Sequence, residues 1–321
     1  MKAAILTAAV VAGALLAPAA SADGLPVQNV DVGQAGVEAP NEDVRYVAVP
    51  AHGGTVVQRI RRNGGQVLRS RVLEGRYTIP AVAYDGSAGG LSADGGTLVL
   101  IAPRLTFPRA KTSFAVLDTN GLDLRETLTL PGDFSFDAVS PNARWLYLIQ
   151  YTSPDDPVQY QVRALDLLNG KLHPDPVVDK REPDEAMNGH PVTRAASPDG
   201  RWAYTLYQGS AHPFVHALDT VNRVARCIDL DWLHGRKDLW EMRFAVDSGD
   251  GTLSVRAGGK DVALVDTRSF EAVVPPPGGS DSWKWILLVF PAAGLVVAAF
   301  FAYRAASRRA SSRSFGGATS A

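Results

Sequence analysis

Two histidines four residues apart, His212 and His216, are the first place to look for chemistry. On a helix that spacing sets both imidazoles on one face, ready to share a metal ion. The run Phe214 to Asp219 reads instead as a strand, where four residues span about 13 Å at roughly 3.3 Å each. That is too far for one ion, so the pair reads as two loop or edge histidines and no metal ligands are expected. No G-x-S-x-G elbow is present, and Gly86-Ser87-Ala88-Gly89 lacks its spacing. Asp247-Ser248-Gly249-Asp250-Gly251 superficially matches a calcium loop, but its third and fifth positions are wrong and no Glu closes it. No glycine-rich loop follows a strand and opens a helix to hold phosphate. The expectation is therefore no catalytic constellation and no cofactor.

Two segments keep an interest in binding. Asp179-Lys180-Arg181-Glu182-Pro183-Asp184-Glu185, running on to His190, carries four acids within seven residues. Its default reading is a solvated, mobile loop; the sharper one is a loop that meets a ligand or cation, with Asp184 and Glu185 as its contacts. The stretch Asp231 to Trp240 brings Trp232, His234, Arg236, Lys237 and Trp240 together in sequence. Aromatics beside Arg anchor interfaces, so Trp232, Arg236 and Trp240 are candidate interaction residues; the competing reading makes the tryptophans core. Cys227, the chain's one cysteine, lies in the apolar run Val224 to Leu230 and reads as a buried, inert thiol. It cannot form a disulfide within the chain.

The elements that must carry these residues are strands in a repeat. Ser92-Ala93-Asp94-Gly95-Gly96, Ser140-Pro141-Asn142-Ala143-Arg144, Ser197-Pro198-Asp199-Gly200-Arg201 and, more loosely, Ser248-Gly249-Asp250-Gly251 each open an apolar run. A second strand follows, carrying Leu117-Asp118, Leu165-Asp166, Leu218-Asp219 or Val265-Asp266, with the Asp markers 48, 53 and 47 residues apart. Thr97 to Ala102, Trp145 to Tyr151, Trp202 to Tyr207 and Thr252 to Arg256 are equivalent strands. Outermost strands are expected at Glu126 to Leu130, Lys171 to Val178, Arg223 to Leu230 and Phe270 to Val274. A fourth strand precedes each turn, as in Phe134 to Val139 and Glu241 to Val246. Four antiparallel strands per unit of this length is one propeller blade. With a weaker first unit over Val44 to Leu73, joined by the hairpin Asn63-Gly64-Gly65, the count is about five, and a sixth, degenerate unit stays open. The fold class is thus all-β, a β-propeller over 44–274, closed because each blade buries its faces against its neighbours. A short helical turn is expected around Asp231 to Asp238.

Ser197-Pro198-Asp199-Gly200-Arg201-Trp202, with its near copy Ser140-Pro141-Asn142-Ala143-Arg144-Trp145, resembles the S-P-D-G-[RK] signature of the YVTN and Tol-type propeller repeats of bacterial envelope proteins. Leu117-Asp118-Thr119, Leu218-Asp219-Thr220 and Val265-Asp266-Thr267 are similar to that family's strand ending. The resemblance covers roughly residues 44 to 274 and implies fold more than function, because the shared residues are structural. It implies that Asp and Gly hold the tight turns and that Trp145 and Trp202 pack between blades.

The flanks imply a location. Lys2, the apolar run Ala3 to Leu16 and Ala20-Ser21-Ala22 read as a signal peptide over 1–22. Residues 23–43 read as a linker and Pro275-Pro276-Pro277-Gly278-Gly279-Ser280 as part of a stalk over 275–282. Trp285 to Tyr303 is 19 residues without a charge, which places a membrane helix at 283–303. Arg304, Arg308, Arg309 and Arg313 put the tail 304–321 inside and the propeller outside. The ectodomain carries 26 of the 32 Lys and Arg against all 33 Asp and Glu, a net charge of −7. That surface excludes a phosphate-tracking nucleic-acid binder. The expected function is a membrane-tethered binding or scaffold module for an envelope protein or wall glycan. The alternative is a lactonase-like propeller hydrolase whose residues come from several blade loops. A transmembrane sensor is disfavoured because the tail has no folded output domain. The oligomeric state is not written in the chain.

Overall fold

The computed structural model describes residues 35–40, 42–183, 187–247 and 251–275. These residues form five antiparallel sheets in chain order. The first joins Val37–Glu38, Val44–Ala51, Gly54–Arg61 and Val67–Glu74; the second joins Thr97–Ile101, Lys111–Asp118 and Leu124–Pro131. The third joins Phe134–Val139, Trp145–Tyr151, Tyr160–Asp166 and Lys171–Leu172. The fourth joins His190–Ala196, Trp202–Gln208, Pro213–Asp219 and Val224–Asp229, and the fifth Arg243–Asp247, Thr252–Ala257, Lys260–Asp266 and Ala272–Val273. Within each sheet every strand pairs with the next one in the chain.

The alternation of side chains explains how the sheets stack. Successive residues of a strand point to opposite faces. In Thr97–Ile101, Leu98 and Leu100 join the apolar cluster shared with the first sheet. Val99 and Ile101, one residue out of phase, join the cluster shared with the third. In the third sheet Leu146 and Leu148 face back, while Tyr147 and Ile149 face the fourth. In the fourth, Ala203 and Tyr207 face the third sheet and Tyr204 and Leu206 the fifth. A two-residue period thus sandwiches three successive sheets between their chain neighbours. Trp145 packs toward the fourth sheet, with the Arg223 guanidinium 4.3 Å from its ring, and Trp202 toward the fifth, 4.9 Å from Phe270.

The innermost strands meet about an axis. Arg194 of the fourth sheet pairs with Asp137 of the third at 2.6 Å. The Asp94 amide donates to the Pro141 carbonyl at 3.1 Å, tying one repeat turn to the next. Gly200, at φ +69°, lies against Ala93, where a Cβ would stand 2.2 Å from the alanine methyl. Stacked antiparallel sheets with inner edges gathered on an axis are the build of a β-propeller.

The regular pattern breaks in three places. The second sheet has three strands, not four, because the expected first strand becomes a hairpin pinned by isolated bridges at Thr78–Ile101, Ala81–Ala88 and Leu91–Leu98. Pro80 lacks an amide for a ladder, and the hairpin tip reaches the inner strand of the fourth sheet, where the Tyr84 and Asp85 amides donate to the Pro191 and Val192 carbonyls at 2.9 and 3.2 Å. The outer strand expected over Lys171 to Val178 shortens to Lys171–Leu172, since Pro174 and Pro176 interrupt it; Val177 returns through one bridge to Val162. At the N-terminal side, Val37–Glu38 pairs with Val44–Ala51, so the first sheet begins inside the stretch read as linker. The turn expected near Asp231 is a pair of 3₁₀ turns, Asp231–Leu233 and Leu239–Glu241.

The proposed signal peptide, stalk, membrane helix and tail lie outside the described residues, apart from Pro275, the first stalk residue. Among the described residues no helix is long and apolar enough to cross a membrane.

Candidate functional site

Strand Pro213–Asp219 sets Phe214, His216 and Leu218 on the face that packs against the third sheet. His216 is 2% exposed. Its partner on the next strand is Cys227. The Cys227 amide and carbonyl point outward, to the Asp179 carboxylate at 2.9 Å and the Arg181 guanidinium at 2.8 Å. The two residues therefore form a non-hydrogen-bonded pair, the type whose side chains lie closest. Cys227 is half-buried, not fully buried as its apolar surroundings in sequence imply.

The insertion after Leu172 roofs this face. Its root is anchored: Asp179 forms a parallel bridge with Ala225 and is buried. The Asp179 carboxylate accepts from the Arg181 guanidinium at 2.6 Å, from Arg226 at 3.0 Å and from two amides. Burial works to raise this carboxyl, but the Arg181 hydrogen bonds outweigh it and hold it well below the usual carboxylate range. The far end is fixed by the Tyr160 hydroxyl, which donates to the Gly189 carbonyl at 3.1 Å. Gly189 has φ +116°, and a Cβ there would stand 2.3 Å from the Gln208 carbonyl oxygen, so only glycine fits. A loop that reads as solvated and mobile is thus clamped at both ends.

Between roof and sheet lies a cleft of about 350 Å³, within the size range of small-ligand sites. Tyr160, Val177, Met187 and Phe214 give it apolar walls. His216 stands in it with its Nε2 buried and without a hydrogen-bond partner. Burial pushes this imidazole down to about 4, so it is neutral at pH 7. A buried polar atom left unpaired costs on the order of 1–3 kcal/mol. At the rim, His212 contacts Asp229 at 2.9 Å and Asp231 at 3.4 Å. The two histidines therefore line one cleft in different roles, one at the rim and one buried within. Asp179, Glu182 and Asp229 also line it, and no lysine or arginine among the described residues does.

A second cavity, of about 370 Å³, lies at the end of the axis where the repeat turns converge. Asp137 and Arg194 line it; Asp137 Oδ1 takes the guanidinium and Oδ2 is buried without a partner. No histidine among the described residues lines this mouth. The turns themselves are closed hydrogen-bond units. Ser140 Oγ and Ser197 Oγ accept the amides of Trp145 and Trp202, each at 2.9 Å. Asp219 accepts from the Arg201 guanidinium at 2.7 Å, from the Asn222 side chain and from two amides.

The residues singled out for binding go elsewhere. Trp232, 39% exposed, donates its indole N–H to the Val262 carbonyl of the fifth sheet at 3.1 Å. Trp240, 41% exposed, stacks edge-on to Tyr84 of the hairpin tip at 5.4 Å. Arg236 pairs with its neighbour Asp238. Asp184 and Glu185 lie outside the described residues. His216, expected as a loop or edge histidine, is instead buried in a strand paired on both sides, and Cys227, expected as a buried inert thiol, stands half-buried beside it.

No family model matches this chain, and no curated protein matches it. Among solved structures it is similar to TolB of Acinetobacter baumannii, at 13% identity and a TM-score of 0.41, covering 75% of this chain and 53% of that one. It is also similar to a Dos1 propeller, at 10% identity and a TM-score of 0.42, covering 74% and 56% of the two chains. Hydrazine synthase of Kuenenia stuttgartiensis gives 13% identity and a TM-score of 0.38, covering 71% and 74%. The chain thus spans about half the length of the first two. At this level of likeness the propeller assignment stands on the sheets of the chain itself.

Proposed function

We propose that this chain is an extracytoplasmic, membrane-tethered β-propeller of five blades that binds a small envelope ligand in the cleft between its third and fourth sheets. The observation that carries the reading is His216: a buried imidazole nitrogen with no partner, in an apolar-walled cleft of ligand size. Buried polar groups are paired in folded chains, and a molecule bound in the cleft is the partner this reading assigns to the nitrogen. The tether and the outward orientation come from the apolar run Trp285 to Tyr303 and the arginines that follow it.

The test is ligand retention. The full-length chain, incubated with soluble wall fragments and small molecules extracted from the envelope, is desalted and its bound fraction read by mass spectrometry. The reading expects a small molecule retained by the natural chain and lost in Ala211→Trp, which fills the cleft mouth from an exposed loop position. Equal retention by both, or none by either, overturns it.

A further inference from the structure

The cleft's charge points to the class of its occupant. Three carboxylates line it, from Asp179, Glu182 and Asp229, and no lysine or arginine among the described residues does. Arg181 and Arg226 pair with Asp179 at 2.6 and 3.0 Å and answer its charge, so the acidic excess is carried by Glu182 and by the rim carboxylates. His216 adds no positive charge, since burial keeps its ring neutral at pH 7. At the rim a single imidazole, that of His212, lies against two carboxylates, Asp229 at 2.9 Å and Asp231 at 3.4 Å. Low-dielectric walls strengthen the field of such groups inside a cleft. The apolar walls include two aromatic rings, Phe214 and Tyr160, and aromatic faces attract cations.

Resting on the cleft reading above, we propose that the site selects small organic ammonium ions: molecules with an apolar body for the Phe214 and Tyr160 walls and a cationic N–H group that donates to His216 Nε2. An ammonium supplies the donor that the orphaned nitrogen lacks, and its charge answers the acidic lining. A carboxylate of the same shape meets the same walls but is repelled. A neutral alcohol satisfies the nitrogen and leaves the charge unanswered.

The experiment uses three probes with one body and three charges: phenethylamine, 2-phenylethanol and phenylacetate, titrated calorimetrically into the full-length chain at pH 7. Phenethylamine is expected to bind at least tenfold tighter than the alcohol, and phenylacetate weakest of the three. The cation's advantage should shrink as salt is raised from 20 to 300 mM, where screening shortens to roughly 6 Å. Ala211→Trp should abolish all binding, and His216→Leu should weaken phenethylamine about tenfold. If the three probes bind equally, or the anion binds best, cation selection is wrong while the cleft reading survives. If none binds, or if Ala211→Trp leaves binding untouched, the cleft reading falls with it.

Discussion

The repeat turns and the inter-sheet cleft both bury polar side chains, aspartate and serine in the turns and histidine and aspartate in the cleft, and they treat those groups in opposite ways. In the fourth sheet's turn, Asp219 collects five hydrogen bonds from Arg201, Asn222 and two amides, and Ser197 caps Trp202. In the cleft, a few residues along the same sheet, His216 Nε2 is equally buried and has none. Repetition accounts for the first: a turn copied between sheets is a structural unit, and its polar atoms are partnered within it. The cleft exists only where the repeat is interrupted, by the insertion between Leu172 and His190. Difference from the repeat, more than conservation of it, marks the place for a ligand.

Deleting a partner at the turn should produce the largest effect. Asp219→Ala leaves two amides and the Arg201 guanidinium without their acceptor and should cost about 3 kcal/mol, read by chemical denaturation. A loss below about 1 kcal/mol would erase the contrast between turn and cleft. Acid should act nearly as strongly through the cleft. His216 titrates at about 4 when folded and near 6.5 when unfolded, so the unfolded chain binds more protons between those values. Stability present above pH 6.5 is then lost as the pH falls toward 4, by up to about 3 kcal/mol. His190, also lowered by burial, acts in the same direction. Carboxylates held low, Asp219 and Asp179, add their own loss at still lower pH. His216→Leu should flatten the limb between 6.5 and 4.5; an unchanged limb assigns it to other groups.

Loosening the roof comes next. Asp179→Asn keeps the shape and removes the charge that holds Arg181 and Arg226. It should cost about 1–2 kcal/mol and speed hydrogen exchange at residues 178–183 and at Cys227, with the first two sheets unchanged. Exchange that rises everywhere would show that the insertion is part of the global fold. The smallest effect belongs to a residue first read as an anchor. Arg236→Ala removes a surface pair with Asp238 and should leave the denaturation midpoint within error, as exposed pairs do. A clear shift would show that the pair holds the segment in place.

Sequence made the sheets legible and left the cleft mostly hidden, for one physical reason. Strands of the third, fourth and fifth sheets begin within a residue or two of where alternation and the Ser-x-Asp turns put them. Trp145 and Trp202 pack between sheets as the repeat implies. These features are local and periodic. The hairpin at 77–92 could not be read this way, because what decides it is a pairing with Pro191 and Val192, more than 100 residues on. His216 was equally opaque. Nothing in a single strand tells which histidine will be roofed by a distant insertion. The insertion itself was legible as an irregularity, and its anchoring was not, since Asp179 is fixed by Ala225, Arg226 and Cys227 from another sheet. Trp232 and Trp240, close in sequence, diverge because two 3₁₀ turns aim them at different sheets.

The most direct test of the cleft is to denature the natural chain and His216→Leu side by side at pH 7 while titrating each with phenethylamine. The account predicts that the variant is more stable by about 1–2 kcal/mol, because an unpaired imidazole gives way to a side chain that needs no partner, and that it binds the cation about tenfold more weakly. A variant that is less stable and binds just as well would contradict it, showing His216 to be a structural residue with no part in recognition.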